Sequence, residues 1–235
     1  MRVMLCVAFA TAIATGSMAL SQPSPMVSTT IDEAPGGGTR FIMQNNYTQS
    51  MTAYAYEFSL LSNGKPVSGS GIEDVLILER GDPIAPGKSA IAVHGIGPRY
   101  SNVQYTFRAA IFADGATFGD ATWIQHIVKR RQYTINYIND IAVILRGAIA
   151  NNTGLDALAD QLKSQRDGRW AAADQDLDQQ MSITKFWDST LRTVNNRWKS
   201  GSQTADDVVK MHLNILEQIR KKLTQSLPVL KQNQS

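Results

Sequence analysis

The stretch VQYTFRAAIFADGATFGDATWIQHIVKRRQYTINYINDIAVILRGAI, Val103 to Ile149, decides how the chain is read. Its first eleven residues alternate in character, which is the mark of a β-strand. An Asp114-Gly115 turn follows. From Asp120 the apolar period changes to three and four, with Ile124, Val128, Arg131, Ile135, Ile138, Ala142, Leu145 and Ile149 in register. Asp120 has the side chain of a helix N-cap, and about thirty helical residues would span ~45 Å. One continuous segment therefore joins a β half to an α half. Arg131 is the single charge in the stripe and is expected at its edge, with its aliphatic stem packed.

Upstream, Thr52 to Leu61 alternates, with Tyr54, Tyr56, Phe58 and Leu60 on one face and Ala53, Ala55, Glu57 and Ser59 on the other. This predicts a half-buried antiparallel strand. Asn63-Gly64 closes it, the dipeptide that accepts positive φ in tight hairpins. Val75 to Leu78 is a short apolar run expected to lie across the sandwich, and Pro83 to Lys88 is a loop before a strand at Ser89 to His94. Five or six strands spaced by roughly ten residues predict a small sandwich. The order Asn45-Asn46, Thr52-Ala53-Tyr54, Ile84-Ala85-Pro86-Gly87-Lys88-Ser89, then Ala110 to Gly115 and Gly119-Asp120, resembles the immunoglobulin-like domains of secreted bacterial proteins. It is similar in particular to uncharacterised exported proteins in which such a sandwich precedes a helical tail. The resemblance covers about residues 40 to 125 and implies a fold, but no catalytic residues.

Downstream of Asn151 to Gly154, a second helical region begins at Leu155, Leu158 and Leu162, with a bend expected at Asp167-Gly168. The stripe Trp170, Ala173, Leu177, Met181, Thr184, Trp187, Leu191, Val194 and Trp198 is expected to be core. A third helix starts after Thr204, where Thr204 and Asp207 form a variant capping box, and ends before Pro228. The expected fold is α+β: an N-terminal immunoglobulin-like antiparallel β-sandwich over 40–118 and an antiparallel bundle of about three helices over 119–235. Residues 1–19 have the three-part plan of a signal peptide, with cleavage after Ala19. Residues 20–39, with three prolines and Gly36-Gly37-Gly38, read as a flexible leader.

The apolar run from Val3 to Ala14 is too short to span a membrane, which takes about 20 residues. Cys6 is the only cysteine of the chain, so cleavage would leave neither disulfides nor thiolate metal sites. A secreted or periplasmic bacterial protein is expected. The net charge of +3 arises in the helical half, where sixteen basic residues face twelve acidic ones between 119 and 235. Lys129-Arg130-Arg131 and Arg220-Lys221-Lys222 are expected to be solvated helix faces or last-turn charges that suit the helix dipole. They lack the interleaved aromatics of a nucleic-acid surface.

No residue set carries a catalytic, cofactor or metal assignment. His94, His126 and His212 share no ligand spacing. Asp174, Asp176 and Asp178 resemble the start of a calcium loop, but Gln179 stands where glycine is required and Lys185 where glutamate is. Asp114 and Asp120 flank the strand-to-helix crossing, and turn and cap chemistry explain both. His94-Gly95-Ile96-Gly97 lacks phosphate-loop spacing, and no nucleophile elbow is present. The expectation is an exported, non-enzymatic binding or assembly protein of the cell envelope, with an unidentified protein or envelope component as partner and no cofactor. Homo-oligomerisation through the helical half is a further reading. The alternative is a hydrolase with a site between the halves, for which Glu57, Glu73 and Glu79 would have to converge. A pocket with convergent titratable groups would favour the enzyme, and an apolar surface patch would favour binding. Amino-terminal sequencing of the chain recovered outside the cytoplasm is expected to begin at Leu20; recovery of Met1 would remove export from the account.

Overall fold

A computed structural model describes residues 25–33, 38–77, 82–94, 100–199 and 204–228. Seven strands precede four helices: β1 Val27–Glu33, β2 Thr39–Asn45, β3 Met51–Ser62, β4 Lys65–Asp74, β5 Ser89–His94, β6 Tyr100–Phe112, β7 Thr117–Gly119, α1 Ala121–Ala150, α2 Leu155–Ala173, α3 Leu177–Lys199 and α4 Ala205–Gln225. The strands form two antiparallel sheets, ordered β1-β2-β5 and β4-β3-β6-β7. The expected leader is corrected here, because its residues 27–33 form β1, paired with β2 from Val27↔Asn45 to Glu33↔Thr39. Val27 is buried and Arg40 grips Asp32 from the neighbouring strand at 2.6 and 2.5 Å. An edge strand buries so little that its apolar signal is faint beside the glycines and prolines around it.

The two sheets meet through Phe41, Met43, Ala90 and Ala92 of one and Tyr54, Tyr56, Ala110 and Phe112 of the other. The reverse face of β3 is lined by Ala53 and Ala55, and α1 lies against it through Ile127 and Val128. Every residue from Met51 to Tyr56 is buried, so this part of β3 is covered on both faces rather than half-buried. Alanine is what allows the helix backbone to come close. The Asn63-Gly64 hairpin has positive φ at both residues, as expected.

The alternation of β6 breaks at Arg108. Ala55 pairs with Ala109 but Tyr56 pairs with Phe107, so one residue of β6 is looped out as a bulge and the side-chain parity reverses. Tyr105 and Phe107 pack into the inter-sheet core, whereas Ala109 and Ile111 face α1. The single-faced stripe expected for β6 is therefore split between two cores. The bulge also receives the strand-to-helix crossing: the Arg108 carbonyl accepts from the Asp120 amide at 2.7 Å. Gly119 stands beside it with φ +104, where a Cβ would come within 2.2 Å of that carbonyl oxygen. Asp120 then caps α1 by accepting from the amides of Thr122 and Trp123.

Arg131 is not at the edge of its helix but fully buried. Its Nε and Nη2 donate to Asp74 of β4 at 2.6 and 3.2 Å, Nη2 to Thr52 Oγ1 of β3 at 3.0 Å, and Nη1 to the carbonyl and hydroxyl of Ser226 at 2.9 and 3.1 Å. Five contacts use the five donors a guanidinium has. Thr52 is free to accept because its own hydroxyl donates to the Ile111 carbonyl. The register explains Asp74, which is paired with Ala53 and so shares the face of the sheet that meets α1. Ser226 is the C-cap of α4, where a cation suits the helix dipole. One side chain thus ties two strands and two helices together.

The helical core holds Ile138, Ile141, Leu145, Leu158, Leu162, Ile183, Phe186, Trp187, Leu216 and Leu223, with Leu76 and Ile77 from the end of the β half. The Val75 run, expected across the sandwich, crosses instead to the helices. α1 packs against α3 and α4, and α2 against α3. Four helices replace the three expected, and α2 runs straight through Asp167-Gly168. A mid-helix glycine costs only about 1 kcal/mol relative to alanine, and ion pairs Arg166–Asp188 and Arg169–Asp140 at 2.9 and 2.7 Å hold the turn around it. The break comes at Asp174, where φ is +44. Replacing Arg131 by methionine strands the Asp74 carboxylate and is expected to cost about 3–5 kcal/mol in urea unfolding. Adding Asp74→Leu should recover most of that loss, and a double variant no better than the single one would contradict the pairing.

Candidate functional site: an apolar groove beside the third helix

α2 and α3 form a hairpin whose turn is gripped from α1. Asp176 accepts from Lys129 at 2.9 Å and from the Tyr133 hydroxyl at 2.8 Å. Asp178 accepts from Arg130 Nε at 2.6 Å, and its other oxygen meets His126 Nδ1 at 2.9 Å. The acidic run therefore serves as a turn and a cap, since Asp176 also accepts from the Gln179 amide at 3.1 Å. Among the described residues no group of three or more metal-ligating side chains gathers. The expected solvated face at Lys129-Arg130-Arg131 is corrected with it: Asp176, Asp178 and Asp74 take one cation each. Lys129 leads in holding the Asp176 carboxyl below its ordinary value, at about 2, with Tyr133 and the Gln179 amide assisting against partial burial.

This grip sets the rotation of α3. Asp178 and Ser182, one turn apart and joined by a hydrogen bond of 2.9 Å, are both buried. Leu177 and Met181, one position earlier in each case, are swung about 100° around the helix axis. They emerge 71% and 55% exposed, and Trp170 of α2 is 45% exposed. The expected core stripe is thus only partly core. Ala173, Trp187 and Val194 are buried with Ile183, Phe186 and Thr190, while Trp170, Leu177, Met181 and Thr184 line the outside.

They form an open groove of about 700 Å³, floored by Ile77, Trp170, Leu177, Met181 and Phe186. Gln180, Thr184, Lys185, Ser189 and Arg192 complete it, so among the described residues its charged lining is basic. Beneath Ile77 and Met181 a recess of about 70 Å³ leads towards Ile72, Asp74 and Arg130 at the junction of the halves. Sequence reasoning missed this groove because a stripe of period 3.6 does not say which of two adjacent rows the neighbouring helices will cover.

The remaining candidates are dispersed. His212 is buried, with Nε2 at 2.9 Å from Thr190 Oγ1; that hydroxyl donates to the Phe186 carbonyl and so accepts from the imidazole. Asp114 receives the Tyr47 hydroxyl and the Ala116 amide, while Asp120 caps α1. Glu57 pairs with Arg108 Nε at 2.8 Å. Glu73 lies opposite Tyr54, on the other face of the sheet from Glu57, so those two carboxylates do not converge. Burial first, then the nearby Glu73 charge, pushes the Tyr54 hydroxyl above its ordinary value. His94 ends β5, and Glu79 and Gly95 to Gly97 lie outside the described residues. No helix is long and apolar enough to cross a membrane among the described residues.

Comparison with protein-family models, with curated proteins and with solved structures finds no match to this chain. The Asp176 grip has a pH signature. Its folded carboxyl ionises more readily than the unfolded one, so its contribution is present above pH 3.8 and is lost as pH falls towards 2. Acid unfolding should therefore lose part of its steepness in Asp176→Asn across that window; an unchanged profile would contradict the grip.

Proposed function

We propose that this chain is an exported, non-enzymatic binding protein of the bacterial cell envelope, with an immunoglobulin-like sandwich that carries a helical ligand-binding half. The observation that carries the reading is the groove beside α3, where Trp170, Leu177 and Met181 stand together in the open. Its volume falls in the range of about 300–1,000 Å³ typical of small-molecule sites, which are mostly apolar with a few polar groups. A cluster of three large apolar side chains at one surface is also what sets a binding patch apart from scattered exposed residues. Among the described residues, the junction between the halves holds a recess of about 70 Å³.

The strand order supports the immunoglobulin-like part. The first, second and fifth strands face the third, sixth and seventh, and the fourth is joined to the third. This partition is similar to that of immunoglobulin-like sandwiches, with the fourth strand moved to the second sheet. Export rests on the signal-like residues 1–19, and the lack of cysteine beyond Cys6 suits a bacterial envelope.

A neutral solvatochromic dye, Nile red, is expected to bind the purified chain at one site per molecule with a blue-shifted emission. Met181→Glu, at an exposed position, should lower that affinity by at least about tenfold by placing a carboxylate among apolar groups. A chain that binds no dye, or a variant that binds it equally well, would overturn the assignment of the groove.

A further inference from the structure

We propose that the occupant of this groove is a free long-chain fatty acid, its acyl tail lying towards Leu177 and its carboxylate at Arg192. The inference rests on the binding reading above and adds the chemistry of the ligand. Along α3 the two ends of the lining differ: Leu177 and Met181 flank Gln180 at the start, and Ser189 and Arg192 lie at the end, with Thr184, Lys185 and Phe186 between them. From Leu177 to Arg192 the helix rises about 22 Å, the scale of an extended acyl chain. Ile77, Trp170 and Phe186 add apolar wall, and the far end carries the Arg192 guanidinium.

Charge selects the head group. Among the described residues that line the groove none is a carboxylate, and Arg192 brings a guanidinium to its far end, so an anionic head is attracted there and a cationic one is repelled. A guanidinium binds a carboxylate by charge-assisted hydrogen bonds. Arg192 is exposed, so this contact sets preference more than strength. Strength comes from the tail, where each buried methylene raises affinity by roughly fourfold. A volume of about 700 Å³ accommodates one such molecule.

Displacement of Nile red from the full chain tests this directly. Hexadecanoate below its aggregation concentration should displace the dye one for one, and shorter alkanoates should do so progressively less well. Hexadecyltrimethylammonium, equal in tail but opposite in charge, should be weaker by about tenfold or more, and Arg192→Glu should shrink that gap by about fivefold. Leu177→Glu should remove dye and hexadecanoate together, with an unchanged melting temperature as control for folding. Dye that binds but is not displaced by hexadecanoate would overturn the fatty-acid proposal and leave the binding reading standing; absence of dye binding would end both. Equal potency of the two amphiphiles, or an Arg192→Glu chain with the same gap, would also overturn it. So would a concentration-dependent dimer in light scattering that Met181→Glu abolishes, since the groove would then be covered by a second copy.

Discussion

A guanidinium with no exposure to solvent sits where two strands and two helices converge, and the arrangement of both halves follows from satisfying it. Desolvating a charge is costly unless each of its donors is paired. Arg131 meets that condition only if β3 supplies Thr52, β4 ends at Asp74 and the last turn of α4 arrives with Ser226. Slip any one element by a residue and a donor is left alone. The pair therefore acts as a register pin between the sheet and the bundle, on top of the less selective apolar packing around it.

The surrounding chain is shaped to let that contact form. Alanines on the reverse of β3 and β6 bring α1 close, and the bulge at Arg108 turns Ala109 and Ile111 towards the helix while leaving Tyr105 and Phe107 in the inter-sheet core. From the same helix, Lys129, Arg130, Tyr133 and His126 hold the α2–α3 turn by its two aspartates. α1 thus positions both the sheet and the hairpin. The groove is a by-product of that grip: the row of α3 that carries Asp178 and Ser182 is drawn inward, and the row that carries Leu177 and Met181 is left in the open.

Much of the architecture was legible from local chemistry. The strand and helix periods, the Asn63-Gly64 and Asp114-Gly115 turns, the Asp120 and Thr204 caps and the division near Gly119 all depend on neighbours in sequence. What was not legible depends on partners far away in the chain. Arg131 looked like an edge residue because nothing near it announces Asp74, 57 positions earlier. The bulge at Arg108 is invisible to a rule of alternation that it violates. β1 hides in a polar stretch because an edge strand needs only one buried anchor, Val27. The groove escaped for a related reason: Trp170, Leu177 and Met181 have the spacing of a core, and only the rotation imposed by α1 shows that they lie outside it. The same long-range pairing explains why an acidic run and a basic run, each suggestive of a ligand when read alone, neutralise one another.

The claim on which the rest turns is that sheet and helices form one cooperative body around Arg131. Hydrogen exchange of the intact chain under native conditions measures this most directly. The account predicts that the slowest amides of β3, α1 and α4 exchange through one shared global opening, with the same free energy and the same response to low concentrations of urea. Helical amides that exchange much faster than those of β3, through an opening of their own, would contradict it.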